Sequence, residues 1–149
     1  MLIEEGAGAR AGFADGDYAE GGARTSDERA EVFKSADVVL QVRGLGANPE
    51  AGHADLQLMH PDQVLIGFLE PLTALEEVKQ LAAARVLSFA MELVPRIARA
   101  QSMDALTSMA TVSGYKAVLM AAEALPRLFP MMVTAAGTVT PARVLVVGA

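Results

Sequence analysis

Apolar positions follow two rhythms along this chain. Continuous apolar runs of strand length occupy Val38–Val42, Val64–Phe68 and Val86–Ala90. Runs of that kind suit strands covered on both faces by helices. Between the last two, Leu72, Leu75, Val78, Leu81 and Ala82 mark one stripe of a helix opened by Pro71, with Glu76, Glu77, Lys79 and Gln80 left to water. Upstream, Leu2-Ile3 reads as the end of a short buried strand, and a short helix is expected around Asp15 to Glu20. Thr25-Ser26-Asp27-Glu28 has capping-box spacing, so a helix capped by Thr25 should run through Phe33 and Ala36, with Ala30, Val32 and Phe33 inward. Strands alternating with helices across short gaps predict an α/β fold with right-handed crossovers and a parallel, Rossmann-like sheet.

The second half of the chain has a different texture. Two helices are expected after Asp104, capped by Ser102 and Ser113, the second turning Tyr115, Val118, Leu119, Ala122 and Leu125 inward. Met103, Met109, Met120, Met131 and Met132 read as gap-filling core or interface residues. Thr134 to Pro141 is small and turn-rich, like a connection between domains. Arg143 to Val147 then reads as a buried parallel strand, with Gly148 as the first glycine of a turn. These readings divide the chain into a partial α/β domain (1–104), linking helices and a connection (105–141), and the first strand of a second dinucleotide-binding domain (142–149). A strand at each edge of the sequence with no obvious neighbour makes a piece of a larger two-domain protein the expectation.

Candidate chemistry concentrates where Val86–Ala90 ends. Pro95 blocks helix continuation and pushes Val94 to extended backbone. Arg96, Arg99, Gln101, Ser102 and Asp104 then crowd together before the next apolar helix. Fixed charges on a loop after a parallel strand are what a ligand site at the carboxyl edge of a sheet requires. From the residues alone, an Arg96–Asp104 ion pair capping a helix is the competing reading. Two other signals are weak. Gly6, Gly8 and Ala11 match the dinucleotide fingerprint formally, but little strand precedes them, Gly12 interrupts the helix that should follow, and no acidic residue ends a second strand at the right distance. His53 and His60 lie in the loop-like stretch Gly44 to Pro61, where solvated histidines are expected rather than metal ligands.

Composition narrows the classes. The net charge is −6 over 149 residues, which disfavours nucleic acid as a partner. The chain has no cysteine, hence no disulfide and no thiolate chemistry. Although 52% of residues are hydrophobic, Pro126, Pro130, Gly137 and Pro141 break the longest apolar stretches, against a membrane span. The start lacks the pattern of a signal peptide, which fits a cytoplasmic protein.

Several segments taken together resemble a known family. They are Glu5-Gly-Ala-Gly, Ala36-Asp-Val-Val-Leu-Gln-Val-Arg, Phe89-Ala-Met-Glu-Leu-Val-Pro-Arg-Ile-Ala-Arg-Ala-Gln-Ser-Met-Asp-Ala-Leu, Gly114-Tyr-Lys-Ala-Val-Leu, Phe129-Pro-Met and Thr134-Ala-Ala-Gly-Thr. This set closely resembles the NAD(H)-binding component, or alpha subunit, of the proton-translocating NAD(P) transhydrogenases, most specifically over residues 89 to 149. That family shares its fold with alanine dehydrogenase. The resemblance implies an enzyme of the Re/Si-specific kind, moving hydride between NAD(H) and NADP(H), with NADP(H) held by a separate component.

It further implies that Arg96, Gln101 and Asp104 lie over the nicotinamide end of NAD(H). Thr107 stands where the family has a serine, and Gly148 belongs to the cofactor-binding turn. The expected partners are a second copy of the component, the NADP(H)-binding component and a membrane-embedded proton channel. The expected location is peripheral, on the cytoplasmic face of a bacterial inner membrane. No metal is implied. An alanine dehydrogenase-like activity is the first alternative. Those enzymes bind and protonate a keto acid with a lysine and a histidine, but the matching stretches here read Gln41-Val-Arg-Gly and Gly67-Phe-Leu-Glu. The other alternative is a non-catalytic interaction piece. The family's glycine-rich turn continues past Ala149, so the 149 residues alone are expected to bind NAD(H) poorly and to be inactive.

Overall fold

The computed structural model describes residues 1–148. It divides into two compact units, Met1–Asp104 and Ala105–Ala149.

The first unit is built on parallel strands. β1 (Leu2–Glu4) pairs in parallel with β2 (Arg24–Ser26), and between them lies α1 (Asp15–Glu20). α1 begins where Asp17 turns back to accept the Ala14 N–H at 2.7 Å, satisfying a donor that the first helical turn leaves unpaired. α2 (Arg29–Ser35) leads to β3 (Val38–Arg43), α3 (Gly52–Leu56) to β4 (Val64–Phe68), and α4 (Leu75–Ala83) to β5 (Leu87–Ala90). β3, β4 and β5 form one parallel sheet in that order. Its core is Phe33, Val39, Leu45, Leu65, Leu69, Leu81 and Val86. Leu65 on the central strand is wholly buried.

Several expectations shift. Thr25 lies within β2, and α2 starts later, after Glu28. Its N-cap residue, Glu28, makes no side-chain cap; just ahead of it the Ser26 hydroxyl accepts the Glu28 N–H at 3.1 Å while donating to Glu31 at 2.5 Å. Pro71 sits in a turn, and α4 begins at Leu75. The backbone of Glu70 is left-handed, at φ 52°, and its carbonyl accepts the N–H groups of Thr73 and Ala74, which uses those residues in a turn. The predicted stripe therefore narrows to buried Leu81 and half-buried Val78, with Leu72 and Leu75 exposed. β3 is covered on one face only: Val39 is buried, whereas Val38, Leu40 and Val42 face outward. The stretch Gly44 to Pro61 is not all loop, since α3 lies inside it.

The second unit departs further. One uninterrupted helix, α5 (Ala105–Ala124), replaces the two expected. Ser113 and Gly114 sit in mid-helix, where the local cost of glycine is small against twenty residues of continuous backbone bonding. Ser102 lies in a 3-10 turn ahead of it. Tyr115, Val118, Leu119, Ala122 and Leu125 are exposed, as are Met103, Met109, Met120, Met131 and Met132. The turn-rich connection is a hairpin: β6 (Met132–Thr134) pairs antiparallel with β7 (Gly137–Val139). Thr134 accepts the Ala136 N–H and donates to the Gly137 carbonyl at 2.9 Å, and Gly137 takes a positive φ of 126° that suits glycine. Val144 to Val147, expected as a buried strand, is exposed and forms no ladder, because no described strand lies beside it. No described helix is long and apolar enough to cross a membrane.

Candidate functional site

Three chain segments leave the carboxyl ends of β3, β4 and β5, and they converge on Leu69. The Leu69 side chain is buried. A Cβ added to Gly44 would lie 2.7 Å from a Leu69 methyl, and one on Gly46 would lie 2.0 Å from the Leu69 carbonyl oxygen. Gly46 therefore excludes a side chain, and one at Gly44 would force the Leu69 side chain to shift. Gly46 also has φ 99°, a conformation that suits glycine. From the β5 side, Glu92 Oε1 accepts the Leu69 N–H at 2.8 Å and also the Glu70 N–H. Glu92 lies in the 3-10 turn Met91–Leu93 that opens the polar loop.

That loop carries the predicted site residues of the first unit. Pro95 is followed at once by Arg96, whose side chain is exposed. Ile97 donates its N–H to the Pro95 carbonyl at 2.9 Å and starts a 3-10 segment, Ala98–Met103. Ala100, buried, is the apolar foot of that segment, and Gln101 beside it is exposed. Asp104, half-buried, donates its N–H to the Gln101 carbonyl at 3.3 Å, so Gln101 and Asp104 close one turn. An exposed guanidinium, an exposed carboxamide and a carboxylate thus share one short segment at the carboxyl edge of a parallel sheet. This donor and acceptor set fits the carboxamide and ribose of a nicotinamide nucleotide.

The remaining predicted residues belong to the second unit. Thr107 is in the first turn of α5, its carbonyl accepting the Thr111 hydroxyl at 3.2 Å. Gly148 has φ 82°, a conformation that suits glycine.

A second polar cluster was not visible in the sequence. Asp55 on α3 is buried and is gripped by both Arg29 Nε and Nη2, at 2.7 and 2.8 Å, and by Gln41 Nε2 at 2.5 Å. Arg29 also pairs with Glu4 and stacks over the Phe33 ring at 5.2 Å. The hydrogen bonds that Arg29 donates to Asp55 raise the pKa of Arg29 above its ordinary value, outweighing the opposing effect of burial. The cluster ties β1, α2, β3 and α3 together. Its partners are remote in sequence and fall in no common motif, so spacing carries no signal for it.

The histidines take different places from those expected. His53 is exposed on α3 rather than in a loop. His60 is half-buried, with Nε2 3.2 Å from the Ala36 carbonyl and Nδ1 3.1 Å from that of Pro61. It stands just before β4, at the amino end of the sheet and away from the polar loop. Among the described residues no cluster of three or more metal-ligating side chains occurs. The glycines of the formal fingerprint have local reasons: a Cβ on Gly8 would lie 2.4 Å from the Tyr18 hydroxyl oxygen, and Gly6 takes a positive φ of 73°. A cleft of about 400 Å³ lies between β1, α2 and β3, apart from the polar loop.

Comparison with known proteins gives a consistent picture. Residues 1–113 match the alanine dehydrogenase/PNT N-terminal domain, and residues 117–149 match the C-terminal domain of that family. The chain is 45% identical over 148 residues to the NAD(P) transhydrogenase subunit alpha of Cereibacter sphaeroides, covering 99% of this chain and 27% of that protein. It is 38% identical over 149 residues to the NAD(P) transhydrogenase subunit alpha of Haemophilus influenzae, covering 100% of this chain and 28% of that protein. The chain thus spans little more than a quarter of the length of these two relatives. Among solved structures, the transhydrogenase from Sinorhizobium meliloti superposes with a TM-score of 0.82 at 41% identity, covering 95% of this chain and 40% of that one. An L-alanine dehydrogenase superposes with a TM-score of 0.66 at 31% identity, covering 82% of this chain and 31% of that one.

Proposed function

The chain belongs to the alanine dehydrogenase/PNT family, and from that premise we propose that it supplies a portion of the NAD(H)-binding component of a Re/Si-specific, proton-translocating transhydrogenase. The complete protein would move hydride between NAD(H) here and NADP(H) on a partner component. Arg96, Gln101 and Asp104 position the nicotinamide, and Thr107 and Gly148 are cofactor-binding residues of the complete protein. Residues 142–149 open its nucleotide-binding domain. The component pairs with a second copy and docks on a membrane-embedded channel at the cytoplasmic face.

The observation that carries this reading is the composition of the two sheet-edge turns beside the loop. A keto-acid dehydrogenase needs a proton donor there. Arg43 instead spends its Nε on the Ala47 carbonyl at 2.7 Å, and β4 runs out into Phe68, Leu69 and a left-handed Glu70. The histidine nearest in sequence, His60, is at the other end of the strands. Transfer between two nicotinamides needs no general acid, because the bound cofactor supplies the hydride chemistry. What the chain must supply is orientation and exclusion of water. A guanidinium gives charge-assisted, forked hydrogen bonds, and the Gln101 carboxamide can both donate and accept.

The test is Gln101→Asn in the assembled enzyme, with this chain in place of the matching stretch of a relative's alpha subunit. Shortening the side chain should slow single-turnover hydride transfer by about tenfold or more while NADH affinity stays within about threefold, since misplacement by one bond length harms geometry more than binding. Unchanged transfer would remove this role from the loop.

A further inference from the structure

Glu92 is the acidic residue inside the run Phe89-Ala-Met-Glu-Leu-Val, and the cofactor contacts assigned to the loop leave it without a role. The β4–β5 ladder ends at the pair Gly67 and Ala90. Beyond it, strand alternation leaves the Leu69 N–H on the β5 side, but β5 has already turned into its 3-10 segment, and the Glu70 N–H follows in the left-handed turn. Glu92 Oε1 takes both of them. A single carboxylate oxygen therefore joins the turn after β4 to the base of the polar loop. The same turn is braced from the other side, because the Glu70 carbonyl accepts Thr73 and Ala74 N–H groups at 3.0 and 2.8 Å. Gly46 closes over the Leu69 carbonyl, so the three sheet-edge segments meet at one residue.

We propose that Glu92 is a positioning residue for hydride transfer: by bridging the Leu69 and Glu70 N–H groups, it fixes the base from which Arg96, Gln101 and Asp104 project. The proposal rests on the transhydrogenase reading of that loop. Two charge-assisted hydrogen bonds thus anchor the root of that segment. Glu92 is four residues before Arg96, so a shift at its Cα reaches the loop with little chain to absorb it.

Chemistry separates this role from simple stabilisation. Oε2 of Glu92 is buried and has no hydrogen-bond partner among the described residues. Glutamine keeps an acceptor at Oε1 and removes the unpaired charge, so it should preserve the bridge. Aspartate keeps the charge but is too short to reach both donors. Alanine removes the bridge.

In the assembled enzyme, Glu92→Ala and Glu92→Asp should slow single-turnover hydride transfer about tenfold or more, with NADH affinity within about threefold. Glu92→Gln should stay within about threefold of the parent. Amide exchange at Leu69 and Glu70, read by mass spectrometry, should quicken in the alanine and aspartate variants alone. If the alanine variant fails to fold, the aspartate and glutamine pair carries the test. Transfer at the parent rate in the aspartate variant overturns the proposal, as does a glutamine variant as slow as the aspartate one. A loss matched by an equal fall in NADH affinity overturns it too. Gln101→Asn run beside them separates the levels: if it slows transfer while the Glu92 variants do not, only the role of Glu92 falls. If it leaves transfer unchanged, the reading beneath falls.

Discussion

The second unit is built from the more apolar sequence, yet the first has an interior and the described residues of the second do not. In Met1–Asp104, the leucines and valines of β3, β4, α4 and the turn at Leu69 close on one another, with Leu45, Leu65 and Leu81 almost wholly hidden. In Ala105–Ala149, every residue of α5 from Thr107 onward is exposed, and Val144 to Val147 lie open. The difference lies in what each element needs. A helix satisfies its own backbone, so α5 forms whatever covers it. A parallel strand needs a neighbour, and Val144 to Val147 has none among the described residues. Local pattern thus writes a helix, whereas burial and strand pairing are written by partners.

A pair of truncations puts this contrast under the greatest strain. Leu65→Ala should cost about 2–5 kcal/mol, from lost burial and the cavity left behind. Val118→Ala on α5 should change stability by less than about 0.5 kcal/mol. Urea unfolding of both variants, followed by circular dichroism, checks this, and equal effects would mean that the second unit has an interior of its own.

The Asp55 cluster comes next. Asp55→Ala leaves the Arg29 fork and the Gln41 amide without their shared acceptor. The expected cost is about 1–3 kcal/mol, moderated because Arg29 is partly exposed. Asp55→Asn should cost less, since it keeps one acceptor oxygen. A shift in the urea midpoint in that order checks it.

Glycine substitutions should have effects of opposite sign in the two units. Gly46→Ala places a Cβ 2.0 Å from the Leu69 carbonyl at a positive φ, and should destabilise. Gly114→Ala meets nothing within 4 Å and should stabilise α5 by up to about 1 kcal/mol. Thermal melts of the two variants moving in the same direction would contradict this account of the glycines.

Much of the first unit could be read from its residues, because β3, β4 and β5 are short apolar runs bounded by turn residues. α1 was visible at Asp15 to Glu20 for the same reason of contrast with its flanks. β2 was not, because Arg24-Thr25-Ser26 has no apolar rhythm and is a strand only through its pairing with β1. The capping signal near Thr25 does not yield a side-chain cap: Thr25 and Ser26 both lie in the β2 ladder, and the Ser26 hydroxyl reaches only the Glu28 N–H ahead of the helix. Ser113-Gly114 looked like a break and is not one, because two weak helix formers do not outweigh the continuous bonding of α5. The polar loop stood out through its charge density after a strand. Glu92 did not, because its role lies in reaching two backbone N–H groups more than twenty residues back, which no spacing rule anticipates.

The most direct test of the central claim is a crystal structure of the complete alpha subunit carrying this sequence with NADH bound. The prediction is that the Gln101 carboxamide or the Arg96 guanidinium lies about 3 Å from the nicotinamide carboxamide or its ribose, within ordinary hydrogen-bond reach. A dinucleotide bound with its nicotinamide beyond the reach of Arg96, Gln101 and Asp104 alike would contradict it.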